Sequence, residues 1–295
     1  MGREKSTMEK LEIKNKKYIY CYYISSDYNF SEMLVSISSL IAVHPRYPIA
    51  VAYGPKVSQA SIDILKDLNL ILLNETDHPL AHKVITTEGK EDLFECSAKL
   101  YLYRRTEYDK IIYLDPDTLF LQNIDEIFEY PDGSATKHFM DNKAWPGMNG
   151  GLMVIEPNKQ IFDEFIKQLK KDELSRRHEY PDDQYYLTLK NNFIYRQDKH
   201  IPYIYNFFPF FLNQYRQSPI FDEGAIKMWH FMGNCSFGQG SLKVFNTYSL
   251  RLFPPLAQDY MVRYINTARR ILTIYKLKYN ADSLIYPGLS PLYEE

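Results

Sequence analysis

Two rhythms of apolar and polar positions run along this chain. Short apolar runs rich in β-branched and aromatic residues alternate with stretches whose apolar residues recur every three or four positions. Lys17 to Ile24 has the first rhythm and reads as a buried strand. Ser25-Ser26-Asp27 breaks it and can cap a helix, along which Phe30, Leu34, Ile37 and Ile41 share one face until Pro45 and Pro48 end it. Ile49 to Tyr53 reads as a second strand, closed by Gly54-Pro55. Ser58 opens a helix that turns Ile62, Leu65 and Leu68 inward, and Leu70 to Leu73 is a third strand. Strand and helix alternating in this way predict an α/β fold with a mostly parallel central sheet flanked by helices.

Asn74 to Glu91 is polar and reads as a loop, and Phe94 to Arg105 as a helix carrying Lys99. The four-residue apolar run Ile111 to Leu114 reads as a further buried strand. Thr118 to Leu121 is apolar again, Asn123 to Phe128 reads as a short helix, and Pro131-Asp132-Gly133 as a turn. Trp145 to Gly151 is a tight, glycine-bearing loop running into a strand over Leu152 to Ile155. Asn158 caps a helix with Ile161, Phe162, Phe165, Ile166 and Leu169 inward, and Pro181 begins another. Ile201 to Phe211 reads as aromatic and extended. Leu256 to Leu277 reads as an amphipathic helix, its Arg263, Arg269, Arg270 and Lys276 forming a solvated face. The organisation expected is a flexible N-terminus over 1–16, one Rossmann-like domain over 17–250, and a C-terminal helical extension and tail over 251–295.

The 295 residues suffice for a large core, and a net charge of −2 gives no reason to expect nucleic acid as a partner. With 26 Tyr and 17 Phe the chain has many flat faces, most of them core or surface filler. Cys21, Cys96 and Cys235 make neither a disulfide framework nor a zinc pattern, which fits a reducing compartment. The start is polar, with no secretory signal, and its match to Met-Gly-x-x-x-Ser is discounted for the charged Arg3 and Glu4. No apolar run is long enough to span a bilayer, so the expected location is cytoplasmic.

Candidate chemistry sits where the 111–114 strand stops. Asp115-Pro116-Asp117 follows it directly, and Pro116 cannot donate to a ladder. Two carboxylates at the carboxyl edge of such a sheet suit a hard divalent cation, Mn²⁺ or Mg²⁺. Taken alone, the same pair describes a solvated turn.

Several blocks in order resemble one family. Tyr108 to Thr118, with Asp115-Pro116-Asp117 at its centre, Asn123 to Phe128, Asn149-Gly150-Gly151 through Pro157, Asp183-Gln184, Ile201 to Asn206, and His230-Phe231-Met232-Gly233 are similar to the glycogenin-like retaining glycosyltransferases, family eight, of GT-A fold. The resemblance implies a UDP-sugar donor, glucose by default, a carbohydrate or glycoprotein acceptor, and a homodimer as an option for assembly. It implies a metal held by Asp115, Asp117 and His230. It places Ile24, Ser25, Ser26 and Tyr28 at the nucleotide and Lys99 at the diphosphate. Asn149, Gly150 and Gly151 would line the sugar pocket, and Asp183 and Gln184 would face the anomeric carbon. Gly233 and Ser236 would close the donor site. The family often continues with Lys-Pro-Trp, whereas here Ser236 stands where that lysine would be; Lys243 is a candidate replacement.

Two other readings compete. Phosphohydrolases of haloacid dehalogenase type also set Asp-x-Asp at a strand end, but their motif strand opens the fold, and here three strands precede it. A non-catalytic sugar-binding relative is the third reading, supported by the missing Lys-Pro-Trp alone.

Overall fold

The computed structural model describes residues 16–75, 98–137, 147–175, 183–231 and 255–279. The N-terminus before 16, most of the polar loop after Asn74, the opening of the 94–105 helix, Trp145-Pro146, Pro181, the segment 232–254 and the tail after Tyr279 lie outside the described residues.

The strands in chain order are β1 (Tyr18–Ser26), β2 (Ile49–Lys56), β3 (Ile71–Asn74), β4 (Lys110–Leu114), β5 (Thr118–Phe120), β6 (Ala135–Lys137), β7 (Met148–Ile155), β8 (His200–Ile201) and β9 (Met228–His230). Along β1, Tyr20, Tyr22 and Ile24 enter one apolar core while Ile19, Cys21 and Tyr23 enter another, as a two-residue strand period requires. With both faces covered, the run needs no polar alternation. β4 divides in the same way, Ile112 and Leu114 to the first core, Ile111 and Tyr113 to the second.

Seven strands form the main sheet in the order β3-β2-β1-β4-β7-β6-β8; β5 and β9 make a separate pair. β3, β2, β1 and β4 are parallel, β7 is antiparallel to β4 and to β6, and β6 is parallel to β8. The mostly parallel sheet expected from the strand–helix alternation is therefore present.

Five α-helices of two turns or more are described: α1 (Phe30–Ala42), α2 (Gln59–Asp67), α3 (Lys159–Ser175), α4 (Asp183–Lys190) and α5 (Pro255–Tyr279). α1 and α5 share the first core, with Phe30, Leu34 and Ile37 of one and Tyr264, Ile265 and Leu272 of the other. Each such side chain withdrawn from water contributes about 2 kcal/mol. The second core takes Leu100, Leu102 and Tyr103 from a 3₁₀ segment (Ala98–Arg104) and Phe165 from α3. Ser58 caps α2, its Oγ accepting the Ser61 N–H at 3.2 Å. Ser58→Ala is expected to lower stability by about 1 kcal/mol, read as a lower urea midpoint at unchanged slope.

Some elements differ from the sequence expectation. The described part of the 94–105 helix is 3₁₀, and Leu100, Tyr101, Leu102 and Tyr103 are all buried, so no solvated stripe exists to set an α-helical period. Ile201 to Phe211 is not extended throughout: β8 ends at Ile201, and 3₁₀ turns follow at Tyr203–Tyr205 and Pro209–Phe211. Pro202 and Pro209 favour those turns, and burial hides them within a continuous apolar run. The glycine pair at 150–151 lies inside β7, which begins at Met148, where Lys137 and Thr136 of β6 pair with Met148 and Asn149.

This topology positions the site. After β1 the chain builds β2 and β3 to one side, then returns with β4 to the other. The carboxyl ends of β1 and β4 thus meet at a switch point, the crevice where open α/β sheets hold ligands.

Candidate active site

β4 is buried along its length and stops at Leu114. Asp115 continues the ladder by one bond, its N–H donating to Gly151 O at 2.9 Å. Its side chain points to the same face as that of Tyr113, two residues back, and the Tyr113 hydroxyl donates to Asp115 Oδ1 at 2.6 Å. Lys99 Nζ lies 3.5 Å from that oxygen, donates to Gly150 O at 3.2 Å, and sits 5.0 Å from the centre of the Tyr113 ring. Lys99 is 6% exposed, so this lysine is not an ordinary solvated charge.

Pro116 then carries the chain from the main sheet to the minor one. The Asp117 carbonyl accepts from Phe231 N–H at 3.0 Å, and Thr118 pairs with His230 across β5 and β9. That pairing brings a residue more than a hundred positions away to the acidic pair. His230 Nε2 stands 3.1 Å from Asp117 Oδ1 and 3.8 Å from Asp115 Oδ2. Its other nitrogen, Nδ1, lies 2.9 Å from Asn206 Oδ1. The ring is buried and packs at 5.1 Å against Phe208.

Both ring nitrogens therefore face oxygens, and a neutral imidazole has one N–H to give. The second position calls for positive charge, either a proton on the ring or a cation between ring and carboxylates. Burial pulls the His230 pKa down, but the Asp117 and Asp115 carboxylates outweigh it and the pKa is raised. Burial pushes the Asp117 carboxyl up, and the facing imidazole reverses this, leaving its pKa lowered. Ligand atoms of Asp115, Asp117 and His230 all lie within 4.8 Å of one another. Two carboxylates and an imidazole are a donor set that fits Mn²⁺, and the electrostatic demand points the same way.

Gly151 is what lets the ring come so close. A Cβ there would fall 2.1 Å from His230 Cε1 and 2.4 Å from Nδ1. The neighbouring Asn149 is buried, its Oδ1 accepting from Gly151 N–H at 2.9 Å and from Asn206 Nδ2 at 2.9 Å. Gly150 N–H donates to Gln184 Oε1 at 3.0 Å, tying α4 to β7. Asp183 is the first residue of α4, and its side chain is outside what the structure describes, as are Gly233 and Ser236. Ile24, Ser25 and Ser26 end β1, the strand next to β4; Ser26 Oγ accepts from Tyr28 N–H at 3.4 Å, and Tyr28 is exposed.

Three contributors carried no role in the sequence reading: Tyr113, Asn206 and Thr136, whose Oγ1 accepts from Asn206 Nδ2 at 2.7 Å. Tyr113 was visible by strand parity, two positions before Asp115. Asn206 is the one amide in an otherwise aromatic and aliphatic stretch, Tyr203 to Phe208. Thr136 lies on a strand too short to leave a period.

No family model matches the chain. Over 210 residues it is 29% identical to glycogenin-1 of Oryctolagus cuniculus, covering 68% of this chain and 59% of that protein. Over 193 residues it is 25% identical to galactinol synthase 1 of Arabidopsis thaliana, covering 51% of this chain and 53% of that one. The chain spans little more than half the length of either curated relative. The galactosyltransferase LgtC, solved with donor and acceptor sugar analogs, superposes with a TM-score of 0.55 at 15% identity, covering 85% of this chain and 95% of that one. Sheet, helices and site together define the GT-A fold of glycosyltransferases. Within that class the chain is similar to the glycogenin-like glycosyltransferases, family eight. The phosphohydrolase reading is not favoured. No described helix is long and apolar enough to cross a membrane.

Proposed function

We propose that this chain transfers a sugar, glucose by default, from a UDP-sugar to a hydroxyl of a carbohydrate or glycoprotein acceptor, with retention of anomeric configuration. The observation that carries the reading is the meeting of Asp115, Asp117 and His230 at the switch point of the sheet. Those three residues would hold Mn²⁺ or Mg²⁺. Bound there, the ion would neutralise charge on the departing nucleoside diphosphate.

The remaining work falls to the chain's own groups. Lys99, held near Asp115 and the Gly150 carbonyl, supplies fixed positive charge beside the diphosphate. Ile24, Ser25, Ser26 and Tyr28, at the adjoining strand end, bind the nucleotide. Gln184 fixes the Gly150 backbone under the donor sugar. Asp183, beside it, lends negative charge to the oxocarbenium-like anomeric carbon. Glycogenin, galactinol synthase and the galactosyltransferase LgtC support the class of reaction by their names, and leave the donor sugar to experiment.

A screen of UDP-glucose, UDP-galactose, UDP-xylose and UDP-N-acetylglucosamine tests the reading. UDP release that requires Mn²⁺ or Mg²⁺ is expected with at least one donor. No release with any of them, in protein shown to be folded, would sink it.

A further inference from the structure

We propose that Asn206 is the positioning residue that sets the tautomer of His230, keeping the proton on Nδ1 and the Nε2 lone pair turned to the cation site. The proposal rests on the cation reading above and adds a role for a residue outside the ligand set.

The Gly151 N–H can only donate, so the Asn149 atom 2.9 Å away is its carbonyl oxygen, Oδ1. That oxygen also lies 2.9 Å from the Asn206 amide, which must turn its NH₂ group to it. The same NH₂ reaches Thr136 Oγ1 at 2.7 Å, so both of its protons have acceptors. The Asn206 carbonyl oxygen is thereby aimed the other way, at His230 Nδ1, 2.9 Å distant. An amide oxygen can only accept, so Nδ1 carries a proton. In the neutral ring Nε2 is then bare, and it is the nitrogen that faces Asp117 and Asp115.

Asn206 is fully buried, and so is Thr136, so water does not compete for these bonds. The lock therefore runs from a strand amide through two asparagines to a ring nitrogen. Metal-binding histidines generally need the second nitrogen held by such a partner, and losing the partner weakens metal affinity by about 10- to 100-fold. Without Asn206, the neutral ring would move its proton to Nε2 and donate to Asp117, a bond that cation binding would then have to break.

The test is made on metal-stripped protein with ¹⁵N-labelled histidine. Two-bond ¹H–¹⁵N correlations are read above the pH where the ring titrates, and the His230 signals are assigned by their loss in His230→Gln. Wild type is expected to show a protonated Nδ1 and a bare Nε2. Asn206→Leu is expected to show the Nε2–H form and to bind Mn²⁺ about 10- to 100-fold more weakly, by titration calorimetry. An Nε2–H ring in wild type, or Asn206→Leu with unchanged signature and affinity, would overturn the proposal. The wild-type spectrum alone decides the tautomer should the leucine variant fail to fold. Absence of Mn²⁺ and Mg²⁺ binding by wild type would instead defeat the cation reading, a separate outcome.

Discussion

Asp117→Ala is expected to abolish Mn²⁺-dependent UDP-sugar turnover, a fall of about a thousandfold or more, which is about 4 kcal/mol of lost transition-state stabilisation. Two features make the effect large. The substitution removes the carboxylate nearest the imidazole, 3.1 Å from Nε2, and leaves one acidic group in the donor set. It also removes the charge that most favours the positive form of the ring. The fold should survive, because the bond that joins Asp117 to the minor sheet uses its backbone carbonyl and the Phe231 amide. The check is a pair of measurements: steady-state UDP release, and UDP binding with and without Mn²⁺. Turnover should vanish and the Mn²⁺-dependent part of UDP binding with it. Undiminished turnover would refute the assignment of Asp117.

Gly151→Ala is expected to be nearly as severe, through geometry alone. The added methyl would sit 2.1 Å from His230 Cε1, far inside any contact that carbon atoms tolerate. The strand cannot retreat easily: Gly151 O holds Asp115 N–H, and Gly151 N–H is held by Asn149. The imidazole must therefore swing out, leaving Asn206 and the carboxylates behind. A loss of about 1–3 kcal/mol in stability is expected from the overpacking. Mn²⁺ affinity should drop by about 100-fold, as for other losses around metal-bound histidines. Removing the ring should relieve the clash, so Gly151→Ala made in a His230→Ala background should cost little stability. An equal cost in both backgrounds, read from urea unfolding, would refute the steric account.

Much of this was legible in the sequence because both periods are clean where the chain is buried on one face or two. The run 18–24 and the run 111–114 are apolar without interruption, and each became part of a central strand. The alternation of these with Phe30–Ile41 and Ile62–Leu68 was enough for the parallel half of the sheet. What failed to show was made of elements too short to repeat a pattern. β6 and β9 have three residues each and β8 two, so their partners, not their patterns, define them. The site divides along the same line. Asp115 and Asp117 sit at the end of a legible strand, and His230 was found through ordered resemblance. Asn206 and the steric role of Gly151 needed coordinates, because each depends on a neighbour brought in from another segment. The periodicity of a glycine says nothing about an imidazole eighty residues on.

The acidic pair straddles a seam. Asp115 is pinned to the main sheet through Gly151, Asp117 to the minor one through Phe231, and Pro116 is the single link between them. This stretch is thus a fixed-length bridge. An inserted or deleted residue at 116 would slip β5 by one step against β9 and turn its side chains to the opposite side. Directed evolution of this chain should then tolerate substitutions at position 116 far better than changes of chain length at the seam.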